Sequence, residues 1–99
     1  MKNELQKIMS KLKQELPGIK LRYNVSTMEI FGSFIHGEQK ARSDLDILVT
    51  FKKTPSLFDF IELEEYLSEL LNVKVDLVMK SSLKPNIGRK ILSEAMPVS

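Results

Sequence analysis

Apolar residues recur along this chain in stretches whose spacing switches between that of a helix and that of a strand. From Asn3 to Leu16, the positions Leu5, Ile8, Met9, Leu12 and Leu16 predict one buried helix face. Pro17-Gly18 is expected to end that helix, since proline cannot continue the hydrogen-bond ladder and glycine accepts the turn. Ile19, Leu21, Tyr23 and Val25 then alternate with polar residues as on a half-buried strand, and Met28 to Phe31 carries the apolar run up to Gly32-Ser33. A short helix from about Ser33 and a loop through Arg42 follow. Asp44 to Phe51 is the clearest strand, with Leu45, Ile47 and Val49 on one face and Asp44, Asp46 and Leu48 on the other. Ser56-Leu57-Phe58-Asp59 has the form of a capping box and opens a helix to about Leu71. Its buried stripe is expected to be Leu57, Phe60, Ile61, Leu67 and Leu71, broadened by Leu63 and Leu70, with Asn72 as the stop. Val73 to Met79 alternates again, placing Val73, Val75, Leu77 and Met79 on one face and Lys74, Asp76 and Val78 on the other. A last helix from about Pro85 to Met96 turns Ile87, Ile91, Leu92 and Ala95 inward, and Pro97 ends it.

The predicted order is helix, strand, short helix, strand, helix, strand, helix, with no repeat and no internal linker. The expected fold is α/β (α+β): one small mixed β-sheet with helices packed on its apolar face, the acidic face left open, in a single domain over residues 1–99.

Composition narrows the function classes. Hydrophobic residues make up 42% of the chain and charged residues 28%, as in an ordinary globular domain with one modest core. The net charge of +2 makes binding of long nucleic acid unattractive. The absence of cysteine excludes a disulfide framework, a thiol nucleophile and a Cys-ligated zinc site. No apolar run is long enough to span a bilayer, and the polar start Met1-Lys2-Asn3-Glu4 does not read as a secretory signal, so a cytoplasmic location is expected.

The candidate chemistry lies in three places. Asp44 and Asp46 project from the same strand face, and their repulsion is relieved by a bound divalent cation; a hard ion such as magnesium prefers such oxygen ligands. Taken alone, the pair reads better as a solvated acidic turn than as a metal site. Gly32-Ser33 opens a predicted helix, where free backbone N–H groups, a close-approaching glycine and a hydroxyl suit a phosphate. Taken alone, it is a turn with an N-cap serine. Asp76 stands in mid-strand, where aspartate is disfavoured, on the face opposite the apolar stripe. It is either a solvent-facing carboxylate or, if its strand lies beside Asp46's, the third member of a site for one or two magnesium ions and a triphosphate.

The combination resembles a known family. Phe31-Gly32-Ser33-Phe34-Ile35-His36-Gly37-Glu38, then Ser43-Asp44-Leu45-Asp46-Ile47-Leu48-Val49, then Val75-Asp76-Leu77-Val78, is similar to the minimal nucleotidyltransferases of the DNA polymerase β-like superfamily. The resemblance also takes in Ser56-Leu57-Phe58-Asp59 and Leu92-Ser93-Glu94-Ala95, covering the chain from about Phe31 to Val98. It implies that Gly32 and Ser33 hold the triphosphate, that Asp44 and Asp46 bind a pair of magnesium ions, and that Asp76 completes the metal site and helps deprotonate the attacking hydroxyl. It implies in-line displacement at the α-phosphorus with ATP as donor.

Two departures stand out: His36 occupies a position where the family often has arginine, and Ala41-Arg42 replaces an acidic or proline-containing turn. His36 is expected in a partly exposed loop without a catalytic role. Lys80, Lys84, Arg89 and Lys90 make a basic C-terminal segment, expected to be a solvated face. The family also implies a partner, because minimal nucleotidyltransferases are commonly paired with HEPN-domain ribonuclease toxins. There they act as antitoxins by adding AMP to a toxin tyrosine. The alternatives are a binding module that neutralises its partner by contact alone, and a transferase acting on a small molecule or RNA.

Overall fold

Helix α1 (Lys2–Tyr23) continues through Pro17, against the expectation that Pro17-Gly18 would stop it. Ile19 and Tyr23 extend the stripe of Ile8, Met9, Leu12 and Leu16 at helical spacing, and all six are buried in the core. An interior proline costs a helix about 3 kcal/mol. Burying two further large side chains, at roughly 1.5–3 kcal/mol each, offsets that. The alternation from Ile19 to Val25 is therefore misleading, and Leu21 shows it: 85% exposed, it points away from everything. The turn out of the helix falls instead at Asn24, in the left-handed conformation with φ 58°.

A computed structural model describes residues 2–37 and 44–98 of the chain. After α1 come β1 (Val25–Phe31), α2 (Ser33–His36), β2 (Leu45–Phe51), α3 (Leu57–Leu71), β3 (Val75–Met79), a single 3-10 turn at Lys80–Ser82, α4 (Pro85–Glu94) and β4 (Met96–Pro97). The sheet order is β3-β2-β1-β4. β1 runs antiparallel to β2 and to β4, while β2 and β3 are parallel, joined by the α3 crossover, so the sheet is mixed as expected. Met28 and Ile30 lie opposite Val49 and Ile47, and with Leu45, Val75 and Leu77 they make an apolar face. α1 and α3 pack on it.

α3 begins at the expected Ser56 cap, whose hydroxyl accepts the Asp59 N–H at 3.1 Å, and ends at Asn72 with φ 52°. Its buried line runs through Leu63 and Leu67, flanked by half-buried Phe60, Leu70 and Leu71. Leu57 and Ile61, expected inward, are exposed: the line that meets α1 and β3 passes one side of them. In α4 the buried residue is Gly88, which sits against Leu83, and the expected Ile87 and Leu92 face solvent. α4 ends at Glu94, and Met96–Pro97 pairs with Ile30 and Glu29 as a short edge strand. That strand seats Val98 in the core. Two-residue pairing leaves no periodic signature, which is why a helix was expected there.

The acid-bearing face is not wholly open. Leu48, on the same side of β2 as Asp46, is 1% exposed yet lies outside the main core cluster. The 3-10 turn packs against β2, and Lys80 reaches over this face to Glu29 of β1. Among the described residues, no helix is long and apolar enough to cross a membrane.

Candidate active site

Asp46 and Asp76 are register partners across the parallel β2–β3 pair. Strand neighbours lie about 4.8 Å apart, and alternation puts both side chains on the face away from α1 and α3. The start of β2 is tied to β3 by the Leu45 N–H donating to the Lys74 carbonyl at 2.8 Å, which brings Asp44 to the same end of the sheet. Burial pushes the Asp46 carboxyl up to about 6, with the Asp76 and Asp44 charges and a hydrogen bond to Asp76 adding to it. The three acids thus interact as a group: near neutral pH, Asp46 is poised to hold either a proton or a cation.

The position of Asp76 is fixed from outside the sheet. β3 is an edge strand, and its outward N–H groups need partners. Ser68 of α3 accepts from the Val75 N–H at 3.0 Å, and its hydroxyl donates to the Glu64 carbonyl at 3.0 Å. The Glu64 carboxylate accepts from the Leu77 N–H at 2.9 Å. Asp76 is therefore clamped on both sides by two α3 side chains one helical turn apart. Sequence reasoning missed both residues. Polar groups at i and i+4 on the strand-facing side of an amphipathic helix were the available signal.

Gly32 follows Phe31, the β1 register partner of Asp46. Its φ of 82° and ψ of −152° lie in a region essentially reserved for glycine. A Cβ there would overlap Asp46 Oδ2 and come within 3.0 Å of Asp46 Cγ. The turn thus rests directly on the carboxylate. Ser33 opens α2 half-buried, and the Ile35 N–H donates back to the Gly32 carbonyl at 3.1 Å. α2 has only four residues, so close backbone approach is a better basis for anion binding than a helix dipole. His36 lies in α2 rather than in a loop, and its Nε2 is 3.1 Å from Glu94 Oε2 of α4. Glu38, Ala41-Arg42 and Ser43 lie outside the described residues.

The fold therefore brings Asp44, Asp46, Asp76 and Gly32-Ser33 to one end of one sheet face. It does not gather the acids into a ready cage: among the described residues, no three acidic or imidazole groups stand in metal-holding geometry. The donor set nevertheless fits magnesium. It is all oxygen, it includes a carboxyl that burial and then its acidic neighbours make costly to ionise, and a hard cation relieves that cost. A separate cleft of about 260 Å3, lined by Arg22, Asn24, Lys53, Thr54 and Glu62, lies at the far end of β1 from Gly32 and shares no residue with this ledge.

The nucleotidyltransferase domain family model matches residues 5–97. The protein adenylyltransferase MntA of Thermococcus cleftensis is 50% identical over 95 residues, 96% of this chain and 93% of that protein. A solved structure of a candidate minimal nucleotidyltransferase superposes with a TM-score of 0.74 at 34% identity, covering 86% of this chain and 87% of that one. The fold is shared by the MNT antitoxin complex with a tri-AMPylated Shewanella oneidensis HEPN toxin. There the TM-score is 0.62 at 22% identity, covering all of this chain and 72% of that one.

Proposed function

The chain belongs to the nucleotidyltransferase domain family, and from that premise we propose that it transfers AMP from ATP to a hydroxyl of a partner protein, a tyrosine of a HEPN-domain toxin, and so acts as an antitoxin. The observation that carries the reading is the pairing of Asp46 with Asp76 beside Gly32 on one sheet face. Half of all aligned residues are shared with a protein adenylyltransferase over nearly the whole chain, which supports protein as the acceptor.

In this reading Gly32 and Ser33 present backbone N–H groups and a hydroxyl to the triphosphate. Asp44, Asp46 and Asp76 would hold a pair of magnesium ions, whose charge would offset that of the triphosphate. Asp76 also takes the proton of the attacking hydroxyl as its oxygen bonds to the α-phosphorus and the bond to pyrophosphate breaks. The Ser68 and Glu64 clamp keeps that carboxylate in line with the acceptor. The reaction is cytoplasmic, where ATP and magnesium are abundant, and the chain works as a single domain.

Incubation with magnesium, labelled ATP and a candidate HEPN-domain partner protein tests the proposal. Label should move to the partner and should fail to move with Asp44→Asn or Asp46→Asn. Tight binding without transfer, unchanged by those substitutions, would instead make the protein a contact-only antitoxin. Label appearing in RNA or in a small molecule would reassign the acceptor.

A further inference from the structure

Lys80 is the first residue after β3, at one edge of the sheet, and its ammonium lies 3.4 Å from Glu29 Oε2 of β1. Between them runs β2, so the side chain must cross a strand. Two strand spacings amount to about 9.6 Å. The residue beneath the crossing is Leu48, which lies beside Glu29 and Val78 in register and is 1% exposed. The 3-10 turn that begins with Lys80 packs against β2, and a lysine stem laid toward Glu29 is suited to cover such apolar surface with its methylenes. The Glu29 side chain is 18% exposed and that of Lys80 is 40% exposed, so the carboxylate is the more buried partner and the ammonium end is open to solvent.

Leu48 is two residues along β2 from Asp46 on the same face. With the ammonium held at Glu29, one strand across from β2, that puts it roughly 8 Å from Asp46 and farther from Asp76. No other described cation makes an ion pair on this face; the two remaining pairs, Arg22–Glu62 and His36–Glu94, lie elsewhere. A nucleotide brings several negative charges to a ledge already carrying three carboxylates, and it needs cations besides any metal. Lys80 is within a side-chain swing of that charge, and phosphate is a stronger partner for it than a single half-buried carboxylate.

We propose that Lys80 is a nucleotide-binding residue that exchanges Glu29 for the phosphate chain of the bound nucleotide. Glu29 holds the ammonium over Leu48 until the nucleotide arrives and competes with it for the cation. The inference rests on the nucleotidyl-transfer reading above.

The competition makes two substitutions act in opposite directions, which a mere structural brace would not do. The probe is the non-cleavable α,β-methylene analogue of ATP with magnesium, its dissociation constant measured by titration calorimetry on the full chain. Lys80→Met should weaken binding about tenfold, the loss of one charge-assisted contact. Lys80→Arg should restore most of the affinity. Glu29→Gln should tighten binding about two- to fivefold, because a partly buried ion pair no longer competes. Equal weakening by Lys80→Met and Glu29→Gln would reduce the pair to a brace and overturn the proposal, as would no change in either. Wild-type protein that binds the analogue but labels no partner would defeat the adenylyltransferase reading and leave this one standing. Wild-type protein that binds no nucleotide would defeat both.

Discussion

Replacing Asp46 with asparagine should stabilise the metal-free protein at the same time as it abolishes transfer. The Asp46 carboxyl is pushed from 3.8 up to about 6, chiefly by burial, then by the charges of Asp76 and Asp44. A group whose pKa is higher folded than unfolded favours the folded state most when protonated. Its contribution is complete below about pH 3.8 and is lost as pH rises through about 6. Above that, ionised Asp46 is a liability that asparagine removes, and the amide can still donate to Asp76. A shift of this size in a dry site would correspond to roughly 3 kcal/mol. The carboxyl is partly exposed and its neighbours are screened by water, so about 1 kcal/mol is the reasonable expectation. For a domain of this size that is a rise of about 5 °C in Tm. Calorimetry in EDTA should therefore show Asp46→Asn melting higher at pH 8 and indistinguishably from the parent near pH 4. A variant that melts lower at pH 8, or whose advantage does not fade in acid, would refute the reasoning.

Other consequences follow from single contacts. Gly32→Ala forces a non-glycine residue into a strained conformation and drives its Cβ into Asp46, at a backbone cost of about 1–3 kcal/mol. It should stay folded by circular dichroism yet lose nearly all transfer activity, and wild-type activity would separate the turn from the site. Glu64→Ala leaves the Leu77 N–H of an edge strand without its partner and should cost about 1–3 kcal/mol in urea unfolding. It should also lower kcat more than the KM for ATP, because Asp76 rather than the triphosphate turn is disturbed. Pro17→Ala restores a helical N–H at an exposed position and should raise stability by about 1–3 kcal/mol without changing activity.

What the sequence revealed and what it hid divide along physical lines. β2, α3 and β3 are legible as elements because each keeps a regular apolar period, although Leu48 is buried on the acid-bearing face and Leu57 and Ile61 are exposed. Asp44, Asp46 and Asp76 were legible as carboxylates on the wet face, and only the parallel register of β2 with β3 makes the last two neighbours. Pro17 misleads because its local propensity is outweighed by the burial of Ile19 and Tyr23 beyond it. Leu57, Ile61, Ile87 and Leu92 were misplaced because an apolar residue near a helical stripe need not belong to the side that meets a neighbour. Pairings between residues far apart in the chain leave no local trace: Ser68 and Glu64 with β3, Lys80 with Glu29, and Met96–Pro97 with β1 all arise only once the sheet is assembled.

Manganese, a paramagnetic stand-in for magnesium, offers the sharpest measurement of whether these carboxylates hold a cation. Electron paramagnetic resonance titration in the presence of the ATP analogue should show tightly bound manganese in the parent protein and its loss in Asp46→Asn and Asp76→Asn, both still folded. Manganese bound equally well by all three proteins would contradict the site.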